Sequence, residues 1–206
     1  MLKIARQRGI QFGYVGIDGG YGKEPAFLRG VDEQGCRFVA VVHCDQTIYW
    51  QDPEPRVPEA AIGRGRKPSR RQPQCASQRV DLWAAAQPPE AWQRLTLREG
   101  EKGVLVADYL HLPVWVWDGE EETARCWHLV VRRAIGANDI SHYCLSNALT
   151  DTPWQELARV QAQRSFIEHS FREAKSECGI PTGHKWPTIR FAAGMPGTCA
   201  LWVSPY

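Results

Sequence analysis

No run of about 18 apolar residues occurs in this chain of 206 residues, so it holds no candidate membrane-spanning helix. Its first residues also lack the charged, apolar and small-residue succession of a secretory leader. A soluble, cytoplasmic protein with no membrane partner is expected. Cys-x-x-Cys is missing as well. The seven cysteines are scattered, and an odd number without a leader argues for reduced thiols over a disulfide frame. Cys36, His43 and Cys44 lack the spacing of a zinc site and read as a strand end beside a partly buried thiol. Charge of one sign is scarce overall: the net charge of +2 is too small to argue for nucleic acid by itself. No acidic residue stands ahead of Asp18.

What is present begins with an ordinary globular balance, 43% apolar and 23% charged, enough to bury a core as one domain or part of one. The distribution of charge says more than its sum. Between Arg56 and Arg79 stand seven Lys or Arg residues and one acid, Glu59. The centre of this run, Gly63 to Arg71, is too rich in Gly, Pro and charge to pack as helix or strand, and predicts an exposed basic loop over 56–79. Arg64, Arg66, Lys67, Arg70 and Arg71 would suit phosphate contacts whose strength falls with salt. A solvated linker accounts for the same composition equally well.

In chain order, residues 1–8 read as a short basic amphipathic piece and Phe12 to Ile17 as a buried strand that delivers Asp18 at its end. Gly19, Gly20 and Gly22 allow a tight turn after it, though their order is not that of a dinucleotide or phosphate-loop fingerprint. An Asp before glycines is most often a turn residue. Pro25 to Val31 reads as a short helix and Arg37 to His43 as a second strand. Farther on, segments at Val104–Ala107, Val114–Trp117 and Trp127–Val131 point to short strands. Trp83, Trp92, Trp115, Trp117 and Trp127 are better read as core than as surfaces for stacking bases. Thr152 and Pro153 can start a helix that Gly179 and Pro181 stop. At about 100° per residue, Val160, Ile167, Phe171, Ala174 and Cys178 share one side of it. Gln161, Arg164, Glu168 and Lys175 lie beside them, as ion pairs on an ordinary surface helix would.

The order Arg164, three residues, Glu168, six residues, Lys175 resembles the signature around the last catalytic acid of DDE transposases of the IS4 and IS701 type. Ser146-Asn147-Ala148, Gln161 to Arg164 and Ala174 to Glu177 look like the IS701-type C-terminal segment, with Gln161 standing where the wider signature has Tyr. Asp18-Gly-Gly-Tyr-Gly22 and Val42 to Tyr49 resemble the region of the second acid. Together these words cover about residues 10–179.

The resemblance implies an α/β fold: a partial RNase H-like core interrupted by a β-rich insertion. Residues 1–48 would be the second half of the core sheet, 49–151 the insertion with its basic loop, and 152–180 the helix carrying the last acid. Asp18 and Glu168 would be catalytic and would hold Mg²⁺ (or Mn²⁺) for two-metal phosphoryl transfer. Arg164 and Lys175 would grip phosphates of the transposon-end DNA, and the partner would be a second copy or an intact transposase subunit. The family's first acid precedes the second, so the chain is expected to start after it, to leave a sheet edge open and to be inactive alone. A non-catalytic DNA-binding remnant and an unstable pseudogene product are the alternatives. Beyond Gly179 the resemblance stops. Shifting the frame from Trp186 to Thr198 lets the codons spell Ala-Asp-Tyr-Pro-Val-Arg, then Trp, then Ala-Trp-His, so residues 181–206 are expected to be an out-of-frame tail.

Overall fold

The computed structural model describes residues 2–59, 68–100, 103–137, 139–163, 188–195 and 198–204. Two short apolar runs make the centre of its sheet. Tyr14–Ile17 (β1) is buried at every position and Phe38–Val42 (β2) at all but Val41. They lie parallel, with Val15, Gly16 and Ile17 opposite Phe38, Val39 and Ala40. Parallel neighbours need a crossover, here supplied by Gly19–Gly22 (α2) and Pro25–Glu33 (α3). Pro25 sits in the first turn of α3, where its missing N–H costs nothing. The leading helix, Leu2–Gln7 (α1), buries Leu2 and Ala5.

After β2 a two-stranded ribbon, Thr47–Ile48 (β3) with Gln78–Arg79 (β4), leads into Val80–Ala85 (α4) and a single 3-10 turn at Pro89–Ala91. Four antiparallel strands follow: Gln93–Gly100 (β5), Gly103–Val116 (β6), Arg125–Ala134 (β7) and Ile140–Ser146 (β8). The segments Val104–Ala107 and Val114–Trp117, read from the sequence as separate strands, belong largely to one strand that runs through Pro113. β5 pairs with β6 no farther than Tyr109, so Pro113 stands beyond its reach, where a strand tolerates a residue without an N–H.

β8 lies antiparallel on β2, which makes the strands after residue 93 and the opening strands one continuous sheet. Among the described residues its order is β5-β6-β7-β8-β2-β1-β10-β9, with Thr188–Met195 (β9) and Thr198–Ser204 (β10) as a C-terminal hairpin. β10 runs parallel to β1, from Tyr14 opposite Ala200 to Ile17 opposite Val203. The expectation of an open edge on the first strand is corrected here. A row of unpaired N–H and C=O groups accepts any strand that reaches it, and the chain's own hairpin does.

The period of two along the strands divides the core. Val15, Ile17, Phe38, Ala40 and Val42 face Leu28 and Val31 of α3 on one side of the sheet. Tyr14, Val39, Tyr109, Val130 and Cys144 face the other, where residues 154–163 (α5) bury Leu157, Ala158, Val160 and Ala162. No helix among the described residues is long and apolar enough to cross a membrane. The word Ser146-Asn147 has a structural use. The β2–β8 ladder stops at Val39 and Ser146, and side chains continue it. Phe38 N–H donates to Asn147 Oδ1 at 2.7 Å and Ser146 Oγ donates to the Phe38 carbonyl at 2.6 Å. Asn147 Nδ2 in turn donates to Asp32 Oδ1 at 2.6 Å and to the Cys36 carbonyl at 3.0 Å.

Candidate active site and basic arm

Asp18 leaves β1 in extended conformation and caps α2, its Oδ1 accepting the Gly19 N–H at 2.6 Å. Its carbonyl accepts from the N–H groups of Tyr21 at 3.0 Å and Gly22 at 2.8 Å. The close approach of α2 to β2 depends on Gly22: a Cβ there would stand 1.8 Å from the Val41 carbonyl oxygen. Tyr14 points to the α5 side of the sheet, where its hydroxyl donates to Glu156 Oε1 at 2.7 Å. Alternation along the strand places Gly16 toward that same side, and Asp18 follows the strand's last residue, Ile17. A half-buried carboxylate at a strand end, next to residues without side chains, is a hard oxygen donor suited to Mg²⁺, which commonly takes one or two carboxylates together with waters and substrate phosphates. Among the described residues no three His, Cys, Asp or Glu side chains are arranged to hold a metal.

Burial and its neighbour Glu156 push the Tyr14 hydroxyl up to about 12, so it remains a donor across the physiological range. Gln161 is buried too, its Oε1 accepting from the Tyr109 hydroxyl at 3.3 Å. The helical wheel set Gln161 beside the apolar stripe; of these, Val160 and Gln161 are described and both are buried. Glu168, Arg164 and Lys175 lie outside the described residues, as do Arg64, Arg66 and Lys67.

The basic run is more than a loop. Thr47 pairs with Arg79, Ile48 with Gln78, and Arg56 with Gln72 farther out, while Gln74 N–H donates to the Pro53 carbonyl at 2.7 Å. These bonds make residues 47–59 and 68–79 the two sides of an arm. Much of the described positive charge on it is already compensated. Arg56 pairs with Glu54, Arg71 with Glu122, and Arg79 with Asp81 at 2.5 Å. Arg70 is exposed and has no ion pair among the described residues. Arg71, expected as a phosphate ligand, is held instead by the acidic turn between β6 and β7. That turn is itself tied to α3: Arg29 pairs with Asp118 and, at 3.1 Å, with Glu120, and Arg125 pairs with Asp32 and, at 2.7 Å, with Glu121. Hydrogen bonds that the Arg125 guanidinium donates to Glu121 and Asp32 hold it firmly protonated despite its partial burial. The acids of this turn are therefore locked to arginines rather than gathered for a cation.

A family model described as DDE superfamily endonuclease matches residues 1–104. The chain belongs to that family. No curated protein and no solved structure matches it. The matched span takes in Asp18, β1 to β5 and the arm. Membership in the DDE endonucleases implies a DNA substrate and a divalent metal. Ser146 and Asn147 lie past the match, and the sequence offered no local sign of their bonds to Phe38, since those partners are 108 and 109 residues away.

Proposed function

We propose that this chain is an IS701-type DDE transposase polypeptide in which Asp18 and Glu168 hold divalent ions, Mg²⁺ or Mn²⁺, at the scissile phosphodiester of transposon-end DNA. The observation that carries the reading is the place of Asp18: at the end of a buried strand, capping the short helix that follows, and inside the family-matched span. Gln161 on α5 is turned into the sheet, and on the helical wheel expected from the sequence Glu168 would stand about 20° from it around the axis. Arg164 and Lys175 fall within about 40° of Glu168 on the same wheel. Asp18 and Glu168 orient the ions. Arg164 and Lys175 hold phosphate oxygens through charge-assisted hydrogen bonds, and the arm adds contacts along the duplex. Divalent ions held by Asp18 and Glu168 would supply activation of the attacking water or 3′-hydroxyl and stabilisation of the leaving oxygen.

Two assigned carboxylates, where the family uses three, hold ions weakly, so turnover by this chain alone is negligible. Mn²⁺ binding followed by electron paramagnetic resonance tests the site: Asp18→Asn and Glu168→Gln should each weaken it. Unchanged binding in both variants would remove the assignment. A labelled-duplex assay tests the inactivity, and cutting that disappears in Glu168→Gln would overturn the inactivity while retaining the site.

A further inference from the structure

The large apolar side chains of the described residues are mostly covered, and among the exposed exceptions are Trp50 and Leu82 near the neck of the arm. Trp50 is 43% exposed and Leu82 60%, whereas Trp127 in the sheet is 6% exposed. Trp50 follows Tyr49, which is buried and bridged through its backbone to Trp115 of β6, so the neck of the arm is anchored while the next side chain is turned outward. The ring is also oriented. Trp50 Nε1 donates to Gln78 Oε1 at 3.2 Å across the ribbon, and Trp83 of α4 backs it with ring centroids 5.6 Å apart at 49°. A single exposed apolar residue needs no explanation. An indole braced by a second indole and a hydrogen bond is preorganised, and this one sits where charge is biased. From Trp50 to Trp83 there are seven basic and four acidic residues, a local excess of three in a chain of net charge +2.

We propose that Trp50, backed by Trp83, is a stacking platform for unpaired bases of DNA. The proposal rests on the DNA-directed function above and adds the form of DNA this surface takes. An aromatic face recognises any base that presents its own face, which paired bases inside a duplex do not. A neighbouring cation then holds the backbone. Arg70 is a candidate, exposed and without an ion pair among the described residues, on the returning side of the arm. Single-stranded sites of this kind cover about 4–16 nucleotides. The charge excess favours a polyanion over an apolar protein surface as the occupant.

The test uses the full chain with a fluorescently labelled oligo-dT and a duplex of equal length, read by anisotropy at low salt, with melting curves to confirm that each variant is folded. Trp50→Ala should weaken oligo-dT binding about tenfold or more, leave duplex binding within about twofold, and be largely rescued by Trp50→Phe. Oligo-dT binding that is intact in Trp50→Ala would overturn the platform while leaving the DNA reading in place. If the wild-type chain binds neither DNA, the proposed function fails and the platform with it. Loss of self-association by light scattering in Trp50→Ala, with oligo-dT affinity unchanged, would assign the patch to a second copy of the chain instead.

Discussion

Replacing Gly22 by alanine adds one methyl group at the tightest point beside Asp18. The new Cβ would lie 1.8 Å from the Val41 carbonyl oxygen and 2.8 Å from its carbon. Both are backbone atoms, so no rotamer change relieves the overlap. Real Cβ contacts essentially never fall under 3.0 Å, and reaching that limit requires α2 to lift from β2 by about 1.2 Å. Overpacking of this kind costs about 3 kcal/mol at the upper end of its usual range. For a chain of this size, that corresponds to a fall in melting temperature of about 6–12 °C. Asp18 should be displaced as well, because its carbonyl accepts from the N–H groups of Tyr21 and Gly22. Mn²⁺ binding should therefore weaken even in the fraction that stays folded. Gly30→Ala is the control. It lies inside α3 with nothing within 4 Å of the added carbon, and should raise stability by about 0.5–1 kcal/mol. Urea titrations followed by circular dichroism give both numbers. A Gly22→Ala chain as stable as wild type would refute the packing of α2 on β2, and with it the geometry argued for Asp18.

Asn147→Ala removes the acceptor of the Phe38 N–H and the donor to Asp32 and the Cys36 carbonyl. Leaving a buried donor unpaired should cost about 2–3 kcal/mol, checked by the urea midpoint at unchanged slope. The His111–His128 pair predicts a pH dependence. His128 Nε2–H donates to the Leu149 carbonyl at 2.9 Å, so its Nδ1 accepts from His111 Nε2–H, also at 2.9 Å. Burial first, and His128 second, push His111 down to about 4. Between the unfolded value near 6.5 and about 4 the unfolded chain binds a proton that the folded chain refuses. Stability is therefore fully present above about pH 6.5 and falls as pH drops through that window. After allowance for the ring's partial exposure the loss is about 1–2 kcal/mol. His111→Gln keeps the donor without the titration and should flatten that part of the curve relative to wild type; an identical slope would count against the pairing.

The two central strands were legible because their signal is local: short unbroken apolar runs, one ending in Asp18 before glycines and the other beginning after Gly35. The bounds moved by one or two residues, since fraying at strand ends depends on the neighbour. The start of the last helix was legible for the same reason, from Pro153 and the apolar stripe. β8 was missed, although its Ser146-Asn147 word was noticed, because Ile140 to Ser146 lacks a strict alternation and becomes a strand by filling the gap between β2 and β7. The basic run was recognised from composition, but its organisation into an arm rests on pairings such as Arg56 with Gln72, which composition does not encode.

The amino-acid sequence by itself determined the buried runs, the carboxylate and glycines after the first of them, and the patch of positive charge, because each arises from residues adjacent in the chain. Tertiary structure decided that β8 joins the later strands to the core, that Gly22 tolerates no side chain and that Trp50 stays outside while Trp127 goes in. Those outcomes depend on backbones and side chains brought together from far apart, where pairing geometry and excluded volume, rather than local preference, choose among the arrangements the chain permits.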